Sequence, residues 1–88
     1  MYTVYILLCQ DQTLYTGITT DAERRFAEHK AGKGGNYTRA HKPVRMVYTE
    51  KAKDRSVASK REAALKRLSR TDKLRLIASL TKTNIPSL

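Results

Sequence analysis

The stretch Tyr2-Thr3-Val4-Tyr5-Ile6-Leu7-Leu8-Cys9, returned after Gln10-Asp11-Gln12-Thr13 by Leu14-Tyr15-Thr16-Gly17-Ile18, decides the fold. Both runs are dense in aromatic and β-branched residues, which pack well on a pleated surface, so they read as a β-hairpin. The first run has no polar face, which argues for a central strand covered on both sides. Gly17 inside the second run marks a place where backbone or ligand comes close. Register decides which tyrosines meet. If the turn is centred on Gln12, residues i and 24−i pair, and Tyr5, Leu7, Cys9, Tyr15 and Gly17 share a face. A loop of the other parity throws Tyr5 and Tyr15 onto opposite faces, and the residues leave both open.

Outward from the hairpin, Thr20-Asp21-Ala22-Glu23 fits a capping box with Thr20 as N-cap and Glu23 as its partner. The helix it opens runs to about Ala31. Its apolar edge is Ala22, Phe26 and His29, with Arg24 and Glu28 pointing away. Arg25 and His29, one turn apart, flank Phe26. Together they read as the positive wall of an anion site, or as a rim arginine beside a packed histidine. Gly32-Lys33-Gly34-Gly35 stops the helix and begins a basic loop through Asn36-Tyr37-Thr38-Arg39-Ala40-His41-Lys42-Pro43. The glycine spacing is not that of a phosphate-binding P-loop. Lys33, Arg39, His41 and Lys42 suit contact with a phosphate backbone.

Val44–Thr49 alternates Val44, Met46 and Tyr48 against Arg45, Val47 and Thr49 and predicts a third strand, at an edge. Arg55–Leu68 predicts a second helix, capped by Asp54 or Ser56. Its apolar face collects Val57, Ala58, Ala64, Leu65 and Leu68. Glu62 falls on the shoulder of that face among the basic residues Lys60, Arg61, Lys66 and Arg67. It reads either as an i,i+4 partner of Lys66 or as a metal-binding carboxylate. Ser69-x-x-Asp72 opens a third helix, with Leu74 and Ile77 inward and Leu76 and Leu80 as further inward candidates. Residues 81–88, with Pro86, are expected to fray. The expected architecture is α/β (α+β), one domain over residues 1–80: a small three-stranded antiparallel sheet covered by helices, in the order β-β-α-β-α-α.

Eighty-eight residues give room for one modest core and no cleft between domains. Of 18 basic side chains, 11 lie in residues 51–88 beside 3 of the 8 acidic ones, for a formal charge of +10. Counterion release makes DNA, and after it RNA, the leading partner. A lone cysteine, Cys9, forms no internal disulfide, and no Cys/His cluster has zinc-ligand spacing. Cys9 suits a small core residue in a reducing cytosol. No stretch is long or apolar enough for a signal segment or a membrane span, so a cytoplasmic protein is expected.

Thr3-Val4-Tyr5, Tyr15-Thr16-Gly17, Arg25, His29 and a glutamate in the second helix, in that order and spacing, resemble the GIY-YIG nuclease domain. The likeness is closest to its small single-domain bacterial members and spans roughly residues 2–80. It implies that Tyr5 and Tyr15 are the motif tyrosines, Gly17 the glycine passing close to the site, and Arg25 the phosphate-binding arginine. It further implies His29 as a site histidine and Glu62 as the one metal ligand, holding a single Mg²⁺ or Mn²⁺ with waters. Thr3 stands for the first motif's glycine and Thr16 for a central isoleucine or valine; neither exchange removes a catalytic group. For the late polar residue of larger members, the chain offers Asn84 or Asn36. The implied activity is metal-dependent DNA endonuclease, structure-directed or of low sequence specificity, in repair, recombination or turnover. Lys33, Tyr37, Arg39, Lys42 and Lys66 are the expected nucleic-acid contacts; of Tyr2, Tyr37 and Tyr48, Tyr37 is the one placed to touch substrate. The alternatives are a nucleic-acid-binding module that cuts poorly or not at all, and a domain binding an acidic protein.

Overall fold

The computed structural model describes the backbone of residues 1–84 and the side chains of residues 1–79. Its elements are β1 (Tyr2–Cys9), β2 (Leu14–Thr19), α1 (Ala22–Lys30), α2 (Asn36–His41), β3 (Pro43–Ala52), α3 (Arg55–Arg67) and α4 (Arg70–Asn84). The three strands form one antiparallel sheet in the order β2-β1-β3. The strand without a polar face is the central one, and Val4, Tyr5, Ile6 and Leu7 are all buried. The expected order of strands and long helices holds. One element is added: the basic loop after α1 contains the six-residue helix α2.

In the hairpin, Thr3 pairs with Thr19, Tyr5 with Gly17 and Leu7 with Tyr15. This differs from the register expected for a turn centred on Gln12 by two residues, because Cys9 donates its amide to the Thr13 carbonyl and closes the loop one residue earlier. A shift of two preserves the face of every side chain. Tyr5, Leu7, Tyr15 and Gly17 therefore share the face toward α1. The opposite face holds Val4 and Ile6, which form the core with Tyr48 and Ala52 of β3 and Ala58 and Leu65 of α3.

Several local expectations need correction. The N-cap of α1 is Asp21, not Thr20: its carboxylate accepts from the Arg24 amide at 3.1 Å, while the Thr19 hydroxyl accepts from the Asp21 amide. Glu28 does not point away, since it takes a hydrogen bond from Arg25 one turn back at 3.0 Å. Asp54 caps α3 through the Val57 amide at 2.9 Å. Val57 itself is 42% exposed, so the buried face of α3 is set by Ala58 and Leu65 and centres about 50° from Glu62 at 3.6 residues per turn. Arg61, one of the basic residues around Glu62, binds both oxygens of Glu50, at 2.8 and 3.0 Å, and Tyr48 donates to Glu50 at 2.6 Å. Ser69 caps α4 by accepting from the Asp72 amide. Leu76 and Ile77 pack on the core, whereas Leu74 is 43% exposed. The α4 backbone continues to Asn84; the side chains of Leu80 and Asn84, and residues 85–88 of the segment expected to fray, lie outside the described residues.

Candidate active site

Tyr5 projects from the central strand across the neighbouring strand at Gly17. A Cβ on Gly17 would sit 2.5 Å from the Tyr5 hydroxyl oxygen and 2.7 Å from Cζ, so only glycine leaves room for the ring. The hydroxyl shares a 2.8 Å hydrogen bond with His29 Nε2, and His29 Nδ1 shares another of 2.8 Å with Thr38 Oγ1. All three side chains are at least 98% buried, His29 at 1% exposure. Gly34 closes the histidine from the remaining side: a Cβ there would overlap the imidazole ring at Nδ1. The Tyr5, Tyr15 and His29 rings meet edge to face or tilted, with centroids 5.4 to 6.4 Å apart.

Charge gathers at the Tyr5 hydroxyl. Burial pushes its pKa up to about 12; the Arg25 guanidinium beside it pulls the other way, and Tyr15 and Glu62 add to the rise. Tyr5 is therefore a phenol, not a phenolate, at neutral pH. Burial also lowers the His29 pKa, and Arg25 lowers it further, so His29 is neutral. A neutral imidazole has one donor and one acceptor nitrogen, so its two hydrogen bonds must run in one direction through the ring. Arg25 itself is held by the Glu28 carboxylate, which raises its pKa, and by the Gly34 carbonyl at 3.3 Å.

Glu62 comes from α3, on the other face of the sheet, and is half-buried with its field felt at Tyr5. Lys66 lies 3.4 Å from one of its oxygens, but that lysine is 54% exposed, so the pair is weakly held. Among the described residues no group of three or more His, Cys, Asp or Glu side chains stands close enough to cage an ion.

Tyr5, Tyr15, Gly17, Arg25 and His29 are brought together, and Glu62, from α3, lies near enough for its charge to act on Tyr5. Lys33, Tyr37 and Arg39 lie on the exposed side of the α1–α2 segment, and Asn36 begins α2 with its side chain exposed. Behind His29, a cleft of about 370 Å³ is lined in part by Lys30, Thr38, Arg39 and Lys42. Thr38, Gly34 and Lys30 are additions that the residue pattern did not single out. Thr38 read as one more loop polar residue, and Gly34 was one of three glycines whose individual roles spacing alone does not separate.

The GIY-YIG catalytic-domain model matches residues 1–75, and the chain belongs to that family, one of nucleases acting on nucleic acid and generally dependent on a divalent metal. Within it, the chain is similar to proteins designated UPF0213 in bacteria and archaea. The one from Natronomonas pharaonis is 54% identical over 78 residues, covering 89% of this chain and 92% of its own. That from Staphylococcus haemolyticus is 49% identical, covering 84% and 90%. Two solution structures share the fold. The UPF0213 protein of Bacillus halodurans has TM-score 0.56 and 43% identity over 89% of this chain and 84% of that one. A protein of E. faecalis has TM-score 0.59 and 42% identity over 92% and 88%.

Proposed function

We propose that this protein is a metal-dependent endonuclease that hydrolyses DNA phosphodiester bonds, structure-directed or of low sequence specificity. The observation that supports it best is the Tyr5–His29–Thr38 chain of hydrogen bonds, ending at a hydroxyl that also lies beside Arg25 and within the field of Glu62. Phosphodiester hydrolysis needs an activated water, positive charge on the phosphoryl oxygens and help for the leaving oxygen.

A phenol held near pKa 12 takes a proton from water only if its own proton leaves as it does so. His29 offers that exit. In the tautomer with Nε2 bare, Tyr5 donates to Nε2 while Nδ1–H donates to Thr38 Oγ1. The proton arriving at Nε2 leaves an imidazolium that Thr38 steadies, and an incoming phosphate's negative charge offsets Arg25, which otherwise opposes that charge. Arg25 presents its guanidinium to the scissile phosphate, exchanging its contact with Glu28 for the stronger anion. Tyr15 orients water or phosphate beside Tyr5. Glu62 would hold one Mg²⁺ or Mn²⁺, which when bound supplies positive charge for the phosphoryl and leaving oxygens. Lys30, Arg39 and Lys42 around the cleft, with Lys33 and Lys66, take neighbouring phosphates. A reducing, cytoplasmic setting suits the buried free thiol of Cys9.

The test is nicking of supercoiled DNA with Mg²⁺ or Mn²⁺. The parent nicks, and Glu62→Ala and Arg25→Lys each lose about a hundredfold or more, as removal of a transition-state charge partner does. Equal cutting by Glu62→Ala removes the metal assignment. A parent that binds DNA yet never nicks it with either ion is a binding module instead.

A further inference from the structure

The rings at the site are arranged in two different ways. Inside, Tyr5, Tyr15 and His29 meet at 44° to 65°, the tilted and edge-to-face packing of a closed core. Outward the geometry changes. Tyr15 and Tyr37 are inclined by 30° with centroids 5.3 Å apart, and Tyr37 stacks on His41 at 28° and 4.2 Å. Tyr37 is 39% exposed, so a row of rings, tilted between Tyr15 and Tyr37 and stacked between Tyr37 and His41, runs from the buried site to solvent.

This row is braced. His41 Nδ1–H donates to the Asp11 carboxylate on the turn between β1 and β2. Asp11 in turn accepts from the Thr13 hydroxyl at 2.6 Å and from its amide at 3.2 Å. Those bonds, Thr13 first and His41 next, hold the Asp11 pKa down to about 2, so the brace is an ionised carboxylate at any working pH. The Gln10 amide donates to the Lys42 carbonyl at 2.9 Å and ties the same turn to the end of α2. None of these groups joins the hydrophobic core, and an exposed tyrosine gains little stability from this much support.

We propose that the Tyr15–Tyr37–His41 row stacks an unpaired nucleobase next to the scissile phosphate, so that the substrate is nucleic acid with a splayed or single-stranded nucleotide at the cut site. The inference rests on the nuclease reading above. Every base has a π-face that an aromatic side chain can cover, but in a continuous duplex both faces are already covered by neighbouring bases. Lys33, Arg39 and Lys42 in the same segment suit the backbone on either side of the displaced base.

Short forked DNA carrying 2-aminopurine at the unpaired junction, and a fully paired duplex of the same sequence, test this without divalent metal. Fluorescence anisotropy reads binding and 2-aminopurine emission reads stacking. The parent binds the fork more tightly than the duplex and quenches the probe. In Tyr37→Ala the fork-to-duplex affinity ratio falls about tenfold and quenching is lost. Tyr37→Phe keeps both, because its ring stacks without the hydroxyl, and circular dichroism establishes that each variant is folded. Parent binding to the fork with unchanged emission, or an unchanged ratio in folded Tyr37→Ala, overturns the stacking role while leaving metal-dependent nicking to stand on its own test. No anisotropy change with either DNA at low salt overturns both.

Discussion

Thr16 sits where the family's second motif carries isoleucine or valine, and it is 3% exposed. Among the described residues its hydroxyl oxygen is the buried side-chain atom without a hydrogen-bond partner. A hydroxyl stripped of water and given nothing in return costs about 1–3 kcal/mol. Thr16→Val keeps the shape and removes the cost, so urea unfolding of the variant should show a midpoint raised by about 1 kcal/mol of stability with an unchanged slope. The motif residues themselves were legible at this scale because each has a distinctive chemistry at a distinctive spacing. Tyr5, Tyr15, Gly17 and Arg25 stand where the pattern puts them. Thr38 and Gly34 were not legible, since their roles exist only once His29 is turned toward them: one takes its second nitrogen, the other leaves space for its ring.

At the scale of elements, His29 joins three of them, reaching from α1 to Tyr5 on β1 and Thr38 on α2. That makes the packing of α1 and α2 on the sheet pH-dependent. Burial, with Arg25 adding to it, lowers the folded-state pKa of His29 below its ordinary 6.5. The unfolded chain therefore takes up the proton first as the solution is acidified. The contribution of neutral His29 is fully present above about pH 6.5 and is lost as pH falls through the lowered folded value. Urea midpoints should drop as pH falls below about 6.5 in the parent and change less in His29→Gln, which has no proton to gain. The long elements were readable from the pattern of apolar residues and from their caps. α2 was not: its six residues have no apolar stripe and no side-chain cap, and Gly35 before it has φ 118°. The face of α3 was misjudged through Val57. The Arg61–Glu50–Tyr48 cluster adds charge to the apolar seam that holds the helix.

For the whole molecule, a formal charge of +10 on 88 residues sets the electrostatics of any encounter with a polyanion. The sites that face substrate are only part of that charge. Lys30, Lys33, Arg39 and Lys42 lie around α2, while much of the remainder is spread over α3 and α4. If the α2 side forms the contact, the salt dependence of DNA binding reports a few phosphates rather than all the basic residues. Replacing Lys30 and Lys42 together by alanine should reduce the slope of log affinity against log salt by about 2, measured by anisotropy from low to moderate salt. An unchanged slope would place the DNA elsewhere, on the helices of the second half. The sheet covered by helices on both faces was legible because the uniformly apolar first run reads as a central strand. How α3 lies against β1 and β2, and so how near Glu62 comes to Tyr5, was not, since the resemblance groups the two residues and periodicity along α3 does not orient the helix on the sheet.

The sheet order β2-β1-β3 also has a consequence for the order in which the chain is made. Synthesis delivers the hairpin, α1 and α2 first, and with them Tyr5, Tyr15, Arg25, His29 and Thr38. The central strand waits for β3 to cover its second edge, and Glu62 follows only after that. On the proposed assignments, a growing chain still attached to the ribosome holds the half of the site that grips phosphate but not yet the half that holds metal. On the same assignments, the ribosome's own RNA is within reach of a site that is still incomplete.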